Sequence, residues 1–587
     1  MRQSRGAAAS ARKTARRPRR GVREAFWSRR LRRGAARGIR PACCAGRARA
    51  ASARSSRRSG LRRCSLRGTS RPTPSAAPSA GRGIASRWEG CPRCYDLSAM
   101  TVRQILGRHR SVPELLAAVA DRHGHREAIV DPGSGTRLTF GEWERAAAGL
   151  AASWHDAGVR RGDVVCLVLP SSADFAIAYH ATLRLGAIVT AINPRLGPVA
   201  QAHVIEKAAP KLVVRDPGEL RPSYAADPFP LQSGIGPEDP VAIVWTSGTT
   251  GMPKGAVFDT ECLRAMARGA GVLSSPGDRR LSPVPFAHVG YMCRAWDELT
   301  NVITTVIVPT PWRAEEAIRL ISAERITVAQ GVTTQWRLML DSPALEGADT
   351  SSLRLAAIGA SPSPASLVRA IRDRLGVPVV NRYASTEASI ITGTRPGDGD
   401  ERVGTTVGRA SDGVELRVCD EEGQPLPPRA VGVVQCRSRA MMRCYWGDPE
   451  RTRRAFTPDG WLVTGDLGWL DEEGYLTLVG RADEMYVRGG YNVHPGEVEA
   501  CLAAHPAVAQ VAVVGAPDPV LGSIGHAFVV LRGGTVPTAE DLRRWCAERL
   551  ADYKAPDRVH FVDALPVTGM HKVDKAALLA SVAGEEG

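Results

Sequence analysis

The sequence predicts an α/β protein with a buried parallel sheet and a β-rich part toward its end. Three observations carry this expectation. From residue 111 to about residue 380, short apolar strands alternate with longer helices, the rhythm of α/β units. After Gly404 the texture changes to short strands and turns. Within the first part, the apolar run Ala242-Ile243-Val244-Trp245 empties into Thr246-Ser247-Gly248-Thr249-Thr250-Gly251-Met252-Pro253-Lys254-Gly255, a loop of hydroxyls and glycines closed by a lysine.

Taken in order, Ser111-Val112-Pro113-Glu114 reads as a helix start, with serine as N-cap and proline in the first turn. It opens a helix over 115–122. A strand at 128–130, a helix over 141–155, a strand at 164–169, a helix over 173–185 and a strand at 188–189 follow. Residues 216–240, rich in Pro and Gly, form a connector. Later units are a helix over 314–324, a strand at 327–329, a helix over 334–340, a strand at 355–358, a helix over 363–375 and a strand at 379–380. Segments 414–418 and 431–436 are strands of the β-rich part, and no internal repeat is visible.

The net charge of +18 looks like a nucleic-acid signal until it is located. Residues 1–100 hold 27 basic residues against Glu24, Glu89 and Asp96, a net +24, which leaves 51 basic and 57 acidic residues, or −6, in the rest. A basic body for binding nucleic acid is therefore not supported. Segment 1–99 is Arg, Ala, Ser, Gly and Pro with little periodicity, a composition that cannot bury a core, and is expected to be disordered. It has three readings: a transit peptide, an RNA- or membrane-binding tail, or upstream GC-rich DNA translated from a mis-set start. The third fits best, because the chain has 71 Arg and seven Lys, and Met100 directly precedes the first ordered-looking segment. No apolar run is long enough to span a bilayer. The 13 cysteines are scattered, and Cys91-Pro92-Arg93-Cys94 has no second pair at zinc spacing. The expected setting is cytoplasmic and reducing.

The loop after Trp245 has chemistry of its own. Glycine lets backbone approach an anion, and successive N–H groups form an anion nest. Four hydroxyls and the Lys254 ammonium complete a site for polyphosphate. A P-loop is excluded because Gly255, not Ser or Thr, follows Lys254.

Downstream come Tyr383-Ala384-Ser385-Thr386-Glu387, Thr464-Gly465-Asp466, Gly480-Arg481, Gly489-Gly490-Tyr491-Asn492-Val493-His494-Pro495, and Pro566-Val567-Thr568 with Lys572. In order and spacing, with the 246–255 loop, these motifs resemble the adenylate-forming superfamily of acyl-CoA synthetases, luciferases and peptide-synthetase adenylation domains. The resemblance covers residues 111–578. It implies a large N-terminal adenylation domain, 111–482, of α/β subdomains plus a β-rich one. A small hinged α+β domain, 483–580, is implied to carry the catalytic lysine. It also implies two half-reactions: a carboxylate attacks the α-phosphate of ATP to give acyl-AMP and pyrophosphate, then a thiol takes the acyl group.

By this resemblance Thr246, Ser247, Gly248, Thr249, Thr250, Gly251 and Lys254 cradle the β- and γ-phosphates. Thr386 bonds the α-phosphate, and Glu387 holds Mg²⁺, a hard cation that prefers carboxylate oxygen. Tyr383 stacks on adenine, whose edge the Gly359-Ala360-Ser361 backbone reads. Asp466 accepts from the ribose hydroxyls and Arg481 supports the ribose. Lys572 delivers a compact ammonium to the carboxylate and α-phosphate oxygens, a task that the bulkier, planar guanidinium would meet poorly. Gly489 and Gly490 line the pantetheine channel, and Glu484 (or Asp483) is the hinge. Two positions depart from the family pattern: Ala384 and His571 stand where glycine is usual.

Amino-acid-activating members usually carry an aspartate for the substrate ammonium in the region that reads Pro285-Phe286-Ala287-His288-Val289-Gly290-Tyr291 here. It has no acid, and an unpaired buried ammonium is costly. The segment resembles the version in acyl- and aryl-CoA ligases, where His288 would line the acyl pocket. Trp296, Val332 and Trp336 also fall where pocket residues are expected. The reading is thus an ATP- and Mg²⁺-dependent ligase joining a small carboxylic acid to coenzyme A, with the thiol acceptor supplied from outside the chain. Loading of a separate carrier protein stays open as the alternative, as does a binding scaffold without activity. Oligomeric state and the identity of the acid are not readable from the residues.

Overall fold

The computed structural model describes residues 109–246, 252–359, 363–533, 536–567 and 573–585. Segment 1–99 lies outside them. Side-chain caps set the first helix starts. Ser111 accepts from the Glu114 N–H at 3.5 Å and opens Val112–His123. Thr139 and Glu142 cap one another's backbone N–H at the start of Phe140–Asp156, a reciprocal box that satisfies two otherwise orphaned donors. Ser172 caps Ala173–Arg184, a helix with every residue buried. Its two charged side chains are paired accordingly: Asp174 accepts from Tyr224 Oη at 2.7 Å, and Arg184 reaches Glu144 at 2.7 Å. Burial pushes His180 down to about 3 and keeps it neutral.

Four sheets organise the described residues. A five-stranded sheet has the order Leu212–Val214, Val164–Leu167, Ile188–Ala191, Pro240–Thr246, Lys254–Asp259. Its first four strands are parallel, and the last turns back antiparallel. A nine-stranded sheet runs Arg409–Ala410, Ser389–Gly393, Val379–Ser385, Leu355–Gly359, Val328–Gly331, Arg279–Ser282, Thr304–Ile307, Glu127–Asp131, Thr136–Thr139. Its six central strands are parallel, so ligands are expected beyond their C-terminal ends. The β-rich change after Gly404 is an antiparallel sheet of Val414–Cys419, Gly432–Ser438, Leu462–Leu470 and Leu476–Arg481. The fourth sheet belongs to a smaller C-terminal domain. There Tyr486–Arg488, Tyr491–Val493, Val508–Asp518, Gly522–Leu531 and Arg558–Phe561 combine with helices over a separate core that includes Val498, Leu502 and Leu542.

The α/β expectation holds, with a large N-terminal and a small C-terminal domain. Trp296 and Trp336, expected near a pocket, belong to the core instead. Both are essentially fully buried, and Trp336 Nε1 donates to the Ala357 carbonyl at 3.1 Å. Val332 is half-buried just before helix Thr333–Asp341.

Candidate active site

Strands Pro240–Thr246 and Lys254–Asp259 form the hairpin that carries the expected phosphate loop, and Thr246 and Lys254 face each other across it. Ser247, Gly248, Thr249, Thr250 and Gly251 lie outside the described residues. The outer edge of this hairpin is bonded to a loop from the β-rich region. Val257 N–H donates to the Cys444 carbonyl at 3.0 Å, Arg443 N–H to Val257 at 2.8 Å, and Trp446 N–H to Gly255 at 2.7 Å. This pairing sets Tyr445 against the hairpin. Lys254 Nζ lies 5.7 Å from the centre of its ring, within cation–π reach. The Tyr445 hydroxyl donates to Glu387 Oε1 at 2.8 Å. Burial first, and then the Glu387 charge, push that hydroxyl up, so it stays protonated as a donor.

Lys254 and Glu387, expected around one triphosphate, are therefore connected through Tyr445. Sequence reasoning missed this residue. Its available signal was the aromatic pair Tyr445-Trp446 in a loop between polar segments. Among the described residues Glu387 Oε2 has no hydrogen-bond partner, and no cluster of three or more His, Cys, Asp or Glu side chains is poised for a metal. A single hard carboxylate beside a phosphate loop fits Mg²⁺, which usually takes one or two carboxylates and completes its shell with water and substrate phosphates.

The second grip is built by the β-rich sheet. Asp466 and Arg481 are cross-strand partners, with Arg481 Nη1 to Asp466 Oδ1 at 2.9 Å. Thr464 Oγ1 accepts the Asp466 N–H at 3.1 Å and donates to Val434 at 2.8 Å, which fixes the turn. Tyr383, nearly buried, donates its hydroxyl to Asp466 Oδ2. Each Asp466 oxygen keeps a further lone pair for another donor. Burial pushes the Asp466 carboxyl up, with Arg481 pulling the other way. Burial also works against the Arg481 cation, but Asp466 and Asp483, the latter 3.0 Å from its Nε, more than offset that. Thr386 sits in the turn after strand Val379–Ser385, which is closed by the Ala388 N–H donating to Ser385 Oγ at 3.1 Å. Gly359 ends its strand as the register partner of Arg382, next to Tyr383. Ala360 and Ser361 lie outside the described residues.

His288 caps the short helix Val289–Met292. The rings of its neighbours in sequence, Phe286 and Tyr291, stack on one another at 3.5 Å and 5°, and Phe175 meets both edge-on. His288 itself is half-buried. In the small domain, Gly489 and Gly490 are the two turn residues between partners Arg488 and Tyr491. Their φ values of +55° and +90° are those a two-residue hairpin turn with positive φ requires, so turn geometry alone accounts for both glycines. Glu484 receives Lys575 Nζ at 2.8 Å, and Glu499 takes the same ammonium at 2.9 Å. Lys572 and His571 lie outside the described residues, but Val567 and Val573 on either side pair antiparallel.

Comparison with known proteins agrees with this geometry. The model of the AMP-binding enzyme family matches residues 116–446, and that of the AMP-binding enzyme C-terminal domain matches 497–572. A feruloyl-CoA synthase of Amycolatopsis sp is 32% identical over 489 residues, covering 78% of this chain and 94% of that protein. A fatty acid–[acyl-carrier-protein] ligase, ScoC of Streptomyces coeruleorubidus, is 31% identical over 464 residues, 74% of this chain and 89% of that one. Among solved structures, ATP-bound MatB from Rhodopseudomonas palustris superposes with a TM-score of 0.71 at 29% identity, covering 80% of this chain and 98% of MatB. With the Pro240–Asp259 hairpin, the Tyr383–Asp466–Arg481 cluster and both family models in one chain, the protein belongs to the adenylate-forming superfamily of AMP-binding enzymes, among its AMP-forming acyl-CoA synthetases.

Proposed function

We propose that this synthetase grips ATP at two ends of one short segment and activates its acid between them. Tyr383 and Glu387 are four residues apart. Tyr383 is bonded to the ribose acceptor Asp466, and Glu387 is linked through Tyr445 to Lys254 of the phosphate hairpin. Four residue steps span at most about 14 Å, a reach suited to a ribose with its three phosphates. That spacing is the observation that carries the assignment. On this reading Asp466 and Arg481 hold the ribose, Tyr383 packs on the adenine, and Thr246 to Gly251 with Lys254 hold the phosphates. Glu387 and Thr386 face the metal and the α-phosphate; Mg²⁺, when bound, supplies charge neutralisation for the phosphoryl oxygens. His288 borders the acyl end.

A carboxylate oxygen of the acid attacks the α-phosphorus, the bond to the β-phosphate oxygen breaks, and pyrophosphate leaves. The CoA sulfur, having lost its proton to solvent, then attacks the acyl carbon, and AMP leaves. Between these steps the small domain, residues 483–580, turns about Glu484. It withdraws Lys572 and presents the Gly489-Gly490 turn to the pantetheine arm. No helix among the described residues is long and apolar enough to cross a membrane. All eight described cysteines are unbridged, which supports a reducing, cytoplasmic setting.

Pyrophosphate release over a panel of fatty, aromatic and alicyclic acids tests the reading. Release is expected with a subset of the panel, and thioester should form when CoA is added. Thioester only with a phosphopantetheinylated carrier protein would favour the carrier-loading alternative, and no release with any acid would remove the ligase assignment. Tyr445→Phe is expected to keep the fold and lower the apparent Mg²⁺ affinity roughly tenfold, the usual scale for losing a group that orients a metal ligand. An unchanged Mg²⁺ dependence would show that Tyr445 does not orient Glu387.

A further inference from the structure

One face of the nine-stranded sheet carries a positive charge that the adenylation chemistry does not use. Gln330, Ala357 and Val380 are lateral neighbours on three parallel strands. Arg382 lies two residues beyond Val380 and so shares that face. The body of the face is apolar, with Leu273, Val328, Leu355, Ala357 and Val380 packed together. Its rim, at the C-terminal ends of the strands, is polar: Gln330 and Arg382 stand there, with Arg294 reaching in from the segment that follows His288. Arg294 Nη1 donates to Gln330 Oε1 at 3.1 Å, which leaves the Gln330 amide nitrogen as a donor.

The charges at this rim do not balance. Arg280 and Arg294 share Asp297 at 3.2 and 3.4 Å, and Arg280 also reaches Glu298 at 3.5 Å. Arg382 forms no ion pair among the described residues. Its Nη1 donates to the carbonyls of Thr394 at 2.8 Å and Asn381 at 3.4 Å, and its buried Nε has no partner among them. Three guanidinium groups thus answer to two carboxylates. The Arg382 guanidinium lies over Gly393, its partner on the neighbouring strand, where a Cβ would overlap it. Burial pushes both Arg294 and Arg382 down, each to about 10, with Arg280 adding to the effect on Arg294 and Arg294 to that on Arg382, so both stay charged at neutral pH. A buried cation without its counter-charge is costly. Here it belongs to strand Val379–Ser385, which also holds Tyr383 and leads to Glu387, at the sheet edge where an α/β protein binds its ligand.

We infer that Arg294, Gln330 and Arg382 receive a second oxygen acceptor, a carbonyl or carboxylate oxygen at the far end of the activated acid, and so select oxo- or dicarboxylic acids over their apolar counterparts. The inference rests on the ligase reading above. A site built to hydrogen-bond a substrate group rejects the analogue lacking it far more strongly than an apolar pocket rejects a missing methylene.

The test uses the full-length protein and pyrophosphate release with two matched sets. One set is hexanoic, 5-oxohexanoic and adipic acid; the other is cyclohexanecarboxylic, 4-oxocyclohexanecarboxylic and cyclohexane-1,4-dicarboxylic acid. The oxygen-bearing members are expected to have kcat/KM values at least about tenfold above the apolar member, and the leading member separates a ketone from a carboxylate as the preferred group. Arg382→Leu and Arg294→Leu should each erase or reverse that preference, and Arg382→Lys should restore part of it. Turnover of the apolar acids as fast as their oxygenated partners overturns the inference while leaving the ligase reading intact. So does a Leu variant that keeps the preference. Release from none of the six acids but from an aromatic acid overturns the inference alone, and release from no acid at all overturns both. Should a variant fail to fold, the wild-type comparison alone decides.

Discussion

Asp466→Ala is expected to lower kcat/KM for ATP by a factor on the order of 10²–10³. The carboxylate is the acceptor for two ribose hydroxyls in the proposed site, and each hydrogen bond to a charged group contributes about 1.5–3 kcal/mol. Two such bonds lost together reach that range. Fold stability should change less, because Arg481 retains Asp483 at 3.0 Å and a third of its side chain remains in solvent. The pH dependence separates a binding role from a packing role. Burial holds the Asp466 carboxyl above the usual range, and the protonated form offers a weaker acceptor. ATP affinity should therefore be full on the alkaline side of this raised value and fall as pH drops through it, earlier than for an ordinary aspartate. Asp466→Asn should bind ATP more weakly and lose that acidic limb. Calorimetric titration with ATP at several pH values is the measurement. An alanine variant that binds ATP within threefold of wild type would place the ribose grip elsewhere. Tyr383→Phe, which removes only the hydroxyl donated to Asp466, should have a much smaller effect.

Much of this site was readable because its motifs are local. Thr464-Gly465-Asp466 and Gly480-Arg481 are contiguous in sequence, and the antiparallel pair that brings Asp466 against Arg481 needs only a short turn between strands Leu462–Leu470 and Leu476–Arg481. The alternation of apolar strands and helices likewise marks Val164–Leu167, Ala173–Arg184 and Leu355–Gly359 near their observed bounds. Arg279–Ser282 has no such pattern. Two arginines head a strand at the centre of a sheet, and they are tolerated there only through partners distant in sequence. Arg279 pairs with Glu127 at 2.7 Å and Glu324 at 2.8 Å, and Arg280 pairs with Asp297. Tyr445 was hidden for the same reason. Its meaning lies in a bond to Glu387, 58 residues away, and in a lysine on a third element. The rim of Arg294, Gln330 and Arg382 is composed from three segments, none of which is a motif. Local chemistry shows in a sequence; chemistry assembled by tertiary contact does not.

Lys572→Ala is expected to reduce acyl-adenylate formation by a factor on the order of 10²–10³, the usual cost of removing one donor aimed at developing negative charge. Thioester formation from supplied acyl-adenylate should stay within about threefold of wild type, because no pentavalent phosphorus needs neutralising in that step. The two half-reactions part in this way if the small domain presents a different edge to the site for each. The contacts of Lys575 are consistent with a domain that turns as one body. Its ammonium joins Glu484, at the expected hinge, to Glu499 on helix Pro495–Ala503, three residues after Lys572 in sequence. The lysine segment and the Gly489-Gly490 turn would then move together, one leaving as the other arrives. Lys572→Arg should recover little of the adenylation rate, since a planar guanidinium cannot occupy the place of a compact ammonium. Pyrophosphate exchange measures the first half-reaction, and thiol consumption from synthetic acyl-adenylate measures the second. Equal loss of both would assign Lys572 to the stability of the small domain. Selective loss of the first would put the decisive charge of the reaction 318 residues beyond Lys254, on a domain that has to close before the chemistry starts.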